Sequence, residues 1–133
     1  MPVEHLSPVP ESVIDALPVL DANQLGRSIR RHTEMEGLPD LDGIKVAIVG
    51  VQEDRRAYRN VGCDGAADAI RPFLYQLYKG KWDYGIADLG NLYKGERHTD
   101  TLLLLKEIAQ ELLQRQIVLI TIGGSQELTY ANY

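Results

Sequence analysis

Apolar residues along the second part of the chain alternate between strand-like and helix-like patterns. Three short apolar runs predict strands, Lys45–Val51, Tyr84–Leu89 and Ile117–Ile122. Apolar residues three and four positions apart predict helices at Ala67–Tyr78 and Asp100–Gln116. Because strands separated by helices form a parallel sheet covered on both faces, the sequence predicts an α/β fold of three layers, α/β/α.

Each predicted helix has one apolar face that we expect to be buried. In the first helix this face comprises Ile70, Phe73, Leu74 and Leu77. In the second it comprises Leu102, Leu105, Ile108, Ala109, Leu112 and Leu113. Pro72 is compatible with the first helix if Asp68 lies near the N-cap, because first-turn amides have no intrahelical partner.

Residues 1–42 differ in composition from the rest, since they hold all the prolines except Pro72. Two short helices are predicted here, Glu11–Leu17 and Asn23–His32, with Asp21 or Asn23 as the N-cap of the second. We interpret residues 1–42 as an N-terminal helical extension packed on a core, and residues 43–133 as the N-terminal part of an α/β domain.

The composition favours a globular protein without a nucleic-acid partner. The 133 residues carry a net charge of −5, which gives no electrostatic support for binding nucleic acid. No apolar run is long enough to span a bilayer, and Met1–Pro10 lacks the features of a signal peptide, so no membrane partner is predicted. A single cysteine gives no sign of an oxidising compartment, and the predicted location is cytoplasmic.

The strongest candidate for a ligand site is the segment Gly123-Gly124-Ser125-Gln126, which follows the third predicted strand. A glycine pair lets the backbone turn sharply, and amides at a following helix start can hold an anion. The spacing matches neither a P-loop nor a dinucleotide-binding motif. A simple turn therefore remains open beside a ligand role. The sequence stops shortly after this segment, so we expect it to show only the first part of a site.

The predicted loop Gln52–Gly65 lies at the carboxyl end of the first strand, where open α/β sheets bind ligands. Its arginines Arg55, Arg56 and Arg59 have the chemistry to clamp a carboxylate. The alternative is a solvated loop in which these arginines pair with its own acidic residues, Glu53, Asp54 and Asp64.

Other reactive residue types give weaker signals. Cys63 has no neighbouring histidine in the sequence, which favours a small buried thiol over a nucleophile. His5, His32 and His98 are scattered without the spacing of a metal site. Asp88 ends the second predicted strand, and a structural hydrogen bond to loop amides is favoured over an active-site role.

The stretch from Val46 to Tyr133 resembles the N-terminal portion of the arginase–agmatinase–formimidoylglutamase (ureohydrolase) family, with formimidoylglutamases the most similar subgroup. The resemblance covers about 90 of the 133 residues and about the first third of a family domain. Four features support it, in chain order. Strand Val46–Val51 is followed by Asn60–Gly65, and Ala66–Arg71 is like the family's G-P-x-x-[IL]-R helix opening. Ala87–Gly90 stands in place of D-x-G-D, and Ile120–Gly124 stands in place of the strand before G-G-D-H-S.

The resemblance implies an arginase-like domain that binds two Mn²⁺ ions, acts on a small guanidino or formimino amino acid and forms homo-oligomers. It implies that Arg55, Arg59 and Asn60 shape the mouth of the substrate site. Ser125 stands at the family's Asp position and Gln126 at its metal-ligand His position, which puts metal binding in doubt because a neutral amide is a weak ligand. The remaining family ligands would lie beyond Tyr133.

Three functional hypotheses follow. The first is the N-terminal segment of a hydrolase that converts N-formimidoyl-glutamate to glutamate and formamide, a segment not catalytic by itself. The second is a metal-free paralogue that serves as a binding or regulatory module. The third is an unrelated small anion-binding α/β domain.

Overall fold

A five-stranded sheet forms the centre of the computed structural model, which describes residues 1–132. The strands are β1 (Leu6–Ser7), β2 (Arg30–Arg31), β3 (Ile44–Gln52), β4 (Gly85–Tyr93) and β5 (Val118–Ile122). Their order is β1-β4-β3-β5, and β2 also pairs with β4. Strands β2, β3 and β5 run parallel to their partners, and only β1 is antiparallel. The mostly parallel sheet confirms the predicted fold class.

Helices connect and cover the strands. They are α1 (Glu11–Asp15), α2 (Leu25–Ser28), α3 (Ala66–Gln76), α4 (His98–Gln114) and α5 (Thr129–Asn132), with 3-10 turns at Val3–His5, Cys63–Gly65 and Gln126–Leu128. None of the helices in residues 1–132 has the length and apolar character that a membrane crossing requires.

The sheet separates two apolar cores. On one face, side chains of β3 and β4 pack with the α4 residues Leu105, Ile108 and Leu112, all fully buried. On the other face, Ile48 of β3 belongs to a second cluster with α1 and α3 that includes Val13 and Tyr75. Alternate residues of a strand point to opposite faces, so one strand contributes to both cores. This is the predicted three-layer arrangement.

Helix α4 buries most of the face predicted from its sequence. Leu105, Ile108 and Leu112 have no exposed surface, and Leu102 is half-buried. The exception is Leu113, which is 74% exposed. The prediction for Leu113 was wrong because successive helical residues are about 100° apart, and the position after Leu112 has already turned away from the sheet.

Helix α3 presents a different face to the sheet from the predicted one. Of the predicted stripe only Leu74 is half-buried, whereas Ile70, Phe73 and Leu77 are 43%, 73% and 56% exposed. The residues that α3 buries are Ala67, Arg71 and Tyr75. The prediction was wrong because Arg71 pairs with the carboxylate of Asp88 on β4, and a fully paired charge can occupy a buried position.

Helix α3 begins at Ala66, one residue before its predicted start, with Gly65 as its N-cap. Asp68 lies in the first turn, near that cap, but Pro72 lies beyond the first turn, inside the helix. Proline removes one amide, and the carbonyl of Asp68, four residues earlier, is the acceptor that would have received it.

Strand β4 extends beyond Leu89, its predicted end, to Tyr93. It continues because Gly90, with φ +88°, accommodates a bulge in the pairing with β3. Ile48 pairs with Asp88 and Gly50 with Asn91, so an advance of two residues on β3 corresponds to three on β4. As a result, Asp88 and Asn91 both point to the α3 side, where each accepts a hydrogen bond from Arg71.

The N-terminal region is less helical than predicted. The predicted helix Asn23–His32 is reduced to the single turn of α2, whose N-cap is Gln24 without a side-chain cap. The residues after it form β2 instead, because they can hydrogen-bond to the open edge of β4. One such hydrogen bond runs from the His32 amide to the Asp88 carbonyl. The boundary between residues 42 and 43 stays a prediction.

Candidate functional site

The carboxyl ends of β3, β4 and β5 lie side by side, and the loops that leave them form the candidate site. These loops are residues 53–62 after β3, residues 94–97 after β4 and residues 123–125 after β5. In open α/β sheets this edge is where ligands bind. We call these three segments the edge loops.

The glycine pair after β5 forms a tight turn that is tied to the loop after β3. Gly123 and Gly124 have φ of +82° and +75°, a conformation that favours glycine. The Gly124 amide donates to the Cys63 carbonyl at 3.0 Å, and the Ser125 amide donates to the Glu53 carbonyl at 2.8 Å. These two amides are therefore not available to hold an anion.

A buried carboxylate, Glu53, lies at the centre of the edge loops with no exposed surface. Arg55 donates from Nε to Glu53 Oε2 at 2.9 Å and from Nη2 to Oε1. The Thr101 hydroxyl donates to the same Oε1 at 2.9 Å. Arg55 also donates to the carbonyls of Gly95 and Glu96 in the loop after β4. One guanidinium thus connects the loops after β3 and β4.

The ionisation of Glu53 follows from these contacts. Burial by itself raises the pKa of the Glu53 carboxyl, but the hydrogen bonds from Arg55 and Thr101 and the charge of Arg55 outweigh burial and lower that pKa to about 2. Glu53 is therefore ionised at neutral pH and cannot act there as a general acid.

A second group of polar side chains joins α4 to the turn after β5. The Ser125 hydroxyl donates to Glu127 Oε1, and the same oxygen lies 2.8 Å from His98 Nε2. His98 is 8% exposed, and its Nδ1 has no hydrogen-bond partner among the described residues. Burial raises the pKa of Glu127, but the bonds from Ser125 and His98 lower it below its ordinary value. Gln126 is exposed.

The three predicted substrate-binding residues lie in one loop but differ in their surroundings. Arg55 is paired with Glu53, which agrees with the alternative that the loop arginines pair with acidic residues of the same loop. Arg59 is exposed, has φ +54°, and places its guanidinium 5.1 Å from the centre of the Tyr58 ring. Asn60 is exposed, and its carbonyl accepts the Cys63 amide. Their contact with a substrate stays a prediction.

Cys63 and His32, two further candidates from the sequence, have surroundings that favour structural roles. Cys63 is half-buried, and burial together with the charge of Asp54 raises the pKa of its thiol, which disfavours the reactive thiolate. His32 is buried, with Nδ1 2.9 Å from the Leu89 carbonyl.

The contacts of Asp88 confirm the structural role that the sequence favoured, and they include more partners than expected. Asp88 accepts the Gly90 amide, the fork of Arg71 at 2.8 and 2.9 Å, and the Tyr75 hydroxyl at 2.6 Å. Gly50 makes room for this cluster, because a Cβ there would collide with the side chains of Asn91 and Ala67.

Sequence reasoning missed Thr101 and the pair of His98 with Glu127. It named Glu53 as one possible partner of the loop arginines but not as the buried centre of the site, although a carboxylate placed directly after a buried strand is costly unless it is paired. The contacts of Thr101, His98 and Glu127 join segments 29 to 48 residues apart, and no local pattern indicates them.

The donor set at this edge does not fit a manganese ion. Within residues 1–132 no three His, Cys, Asp or Glu side chains come together as a metal site. Mn²⁺ favours carboxylate, carbonyl and water oxygens. Ser125 offers only a hydroxyl, which is already bonded to Glu127, and Gln126 offers a single neutral amide oxygen. Glu53 is already held by Arg55.

Comparison with known proteins places this geometry in context. The sequence model of the arginase family matches residues 44–133. The formimidoylglutamase of Streptococcus gordonii is 28% identical over 101 residues, which cover 72% of this chain and 31% of that protein. The structure of a hypothetical agmatinase from Burkholderia thailandensis is 25% identical with a TM-score of 0.63, covering 84% of this chain and 36% of that one. The chain spans about a third of the length of these relatives.

Proposed function

Because the chain belongs to the arginase family, we propose that its full-length protein hydrolyses a non-peptide C–N bond in a small guanidino or formimino compound. The observation that supports this most directly is the position of the Gly123–Gly124 turn. It follows β5 at the carboxyl edge of the sheet and lies against the loop after β3, at the edge where such folds bind ligands. The third hypothesis, an unrelated anion-binding domain, is wrong because the family match covers residues 44–133.

The proposed substrate is N-formimidoyl-glutamate. Water adds to the formimino carbon, the bond from that carbon to the glutamate nitrogen breaks, and formamide and glutamate leave. Similarity to a formimidoylglutamase supports this choice over arginine or agmatine. In this proposal Arg59 and Asn60, exposed in the loop after β3, shape the substrate mouth, and the full-length protein is a homo-oligomer.

A second candidate function has its own observation. At the turn after β5 the hydroxyl of Ser125 is bonded to Glu127, and the position of the family's ligand His is the exposed Gln126. This arrangement supports a metal-free paralogue that keeps the fold as a binding or regulatory module.

The test uses the full-length gene product, purified with Mn²⁺ supplied. Metal content is measured by elemental mass spectrometry, and release of formamide is measured from N-formimidoyl-glutamate, with arginine and agmatine as competing substrates. The proposal expects turnover of N-formimidoyl-glutamate with kcat/KM at least tenfold above the other two.

A variant pair separates the two candidate functions. Gln126→His restores a ring nitrogen at the ligand position, and Gln110→His adds the same ring on the exposed surface of α4. If the metal site is incomplete only at residue 126, Gln126→His raises Mn²⁺ content and Gln110→His does not. Absence of turnover and of metal in all three proteins would contradict the hydrolase and favour the binding module.

A further inference from the structure

We propose that Arg55 is a positioning residue, which holds the edge loops in place through Glu53 and does not itself bind substrate. This inference rests on the proposed function for its activity readout, and it has a second readout that is independent of activity. It replaces the direct substrate contact expected for Arg55 from the sequence.

The guanidinium of Arg55 is already bonded to other groups of the protein. Nε donates to both oxygens of Glu53, Nη1 donates to the Glu96 carbonyl at 2.6 Å, and Nη2 donates to Glu53 and to the Gly95 carbonyl at 2.9 Å. A substrate carboxylate needs two parallel N–H groups of one arginine. To obtain them, it would have to displace Glu53 or the loop after β4.

The hydrogen bonds around Glu53 and Arg55 come from all three edge loops. Glu53 and Arg55 follow β3, and Gly95 follows β4. The Gly95 amide donates to the Thr101 hydroxyl at 2.8 Å, and that hydroxyl donates to Glu53. The loop after β5 joins through Ser125, whose amide donates to the Glu53 carbonyl. A change at Arg55 is therefore transmitted to loops that it does not belong to.

Glu53 is more deeply buried than its partner Arg55. Its side chain has no exposed surface, whereas that of Arg55 is 31% exposed. Removing Arg55 leaves a buried carboxylate without its charge partner, which is unfavourable until water or a new donor reaches it. The loops around Glu53 have to open to admit either one, so the predicted consequence is loop displacement.

The activity test compares Arg55→Gln, Glu53→Gln and the double variant in the full-length protein. The probes are N-formimidoyl-glutamate and its diamide, which lacks both carboxylate charges. A positioning role predicts that Arg55→Gln lowers kcat/KM at least tenfold for both probes by the same factor. The double variant is then no worse than either single variant, because both act through one unit.

Two outcomes of this test would overturn the proposal. A loss confined to N-formimidoyl-glutamate would make Arg55 a ligand of a substrate carboxylate. Losses that multiply in the double variant would mean that Arg55 and Glu53 act separately. Arg115→Gln is the matched control, since Arg115 is an exposed arginine whose carboxylate partner, Glu111, lies in α4 outside the edge loops, and its kcat/KM is expected to stay within twofold.

The second readout is amide hydrogen exchange of the full-length protein. Arg55→Gln is expected to speed exchange at least tenfold at the amides of Gly95 and Ser125, while α4 amides beyond the first turn exchange at the wild-type rate. Arg55→Lys keeps the charge but not the fork, so it is expected to restore less than half of the protection. Unchanged exchange in Arg55→Gln would overturn the positioning role. If no variant and no wild-type protein turns over either probe, the proposed function fails while the exchange result still decides the role of Arg55.

Discussion

The Arg71–Asp88 pair under α3 and the Glu53–Arg55 pair at the carboxyl edge are both forks of an arginine on a carboxylate, but their surroundings differ. Arg71 and Asp88 are both without exposed surface, and Asp88 also accepts a hydrogen bond from the Tyr75 hydroxyl. In the other pair Glu53 is equally buried, whereas the side chain of Arg55 is 31% exposed.

These surroundings separate a charge pair that stabilises the fold from one that positions a site. The Arg71 fork joins α3 to the middle of β4, so its loss affects the packing of a whole layer. The Arg55 fork joins loops that end at the sheet edge, so its loss affects loop position first. The following predictions, for the full-length protein, test this contrast.

The largest effect is expected from Arg71→Met. The substitution leaves Asp88 buried with only Tyr75 and the Gly90 amide as donors, which costs about 3–5 kcal/mol of unfolding free energy. Urea unfolding measures this. Arg115→Met, which removes a half-exposed pair with Glu111, is the control and is expected to cost less than about 1 kcal/mol. A cost below that of the control would contradict the structural role of Arg71.

The next effect is a pH dependence from Glu53. Its pKa is lowered from 4.5 to about 2 in the folded protein, so the unfolded chain binds the proton more readily. The contribution is complete above pH 4.5 and is lost as the pH falls towards 2, roughly 3 kcal/mol in all.

Unfolding free energies of wild type and Glu53→Gln between pH 6 and pH 2 measure this contribution. We expect a shallower fall for the variant, because glutamine does not titrate. Parallel curves for the two proteins would mean that Glu53 has no depressed pKa.

A smaller effect is expected from Gly90→Ala, which tests the irregularity that places Asp88 and Asn91 on one face. Gly90 has φ +88°, and a Cβ there would collide with the Ser7 carbonyl, so we expect a loss of about 1–3 kcal/mol in thermal unfolding. Gly37→Ala is the matched control, since Gly37 has φ +73° in open space. Equal losses would show that only the backbone conformation matters.

The smallest effect is expected from Phe73→Ser on the outer face of α3. Phe73 is 73% exposed, so unfolding free energy should change by less than about 0.5 kcal/mol. Leu105→Ala, on the buried face of α4, is the contrast and should cost about 2–5 kcal/mol. A loss above 2 kcal/mol for Phe73→Ser would restore the apolar stripe as the buried face of α3.

The sequence predicted those parts of the fold in which apolar residues make the contacts. Strand β3 and helix α4 have patterns that match their burial, so their types and approximate bounds followed from periodicity. Helix α3 did not follow, because its inward face is built on Arg71 and Tyr75. Periodicity assigns a charged residue to the surface. It does not show that Arg71 pairs with a carboxylate 17 residues away, on strand β4.

The candidate site was predicted in position but only in part in composition. The loop after β3 and the turn after β5 were identified because both follow buried strands. Glu53 and Arg55 were placed in the same loop, but the sequence left open whether the arginine faces a ligand or its neighbour. Thr101, His98 and Glu127 meet across long sequence separations, which local patterns do not encode.

The contrast between the two forks is tested most directly by measuring kcat/KM and unfolding free energy side by side for Arg71→Met and Arg55→Gln, in the full-length protein with N-formimidoyl-glutamate. We expect Arg71→Met to lose stability while its folded fraction keeps kcat/KM within about threefold of wild type. We expect Arg55→Gln to lose kcat/KM at least tenfold while it retains the larger part of the stability. Loss of activity in Arg71→Met matching that in Arg55→Gln, at equal stability, would contradict the distinction between the two forks.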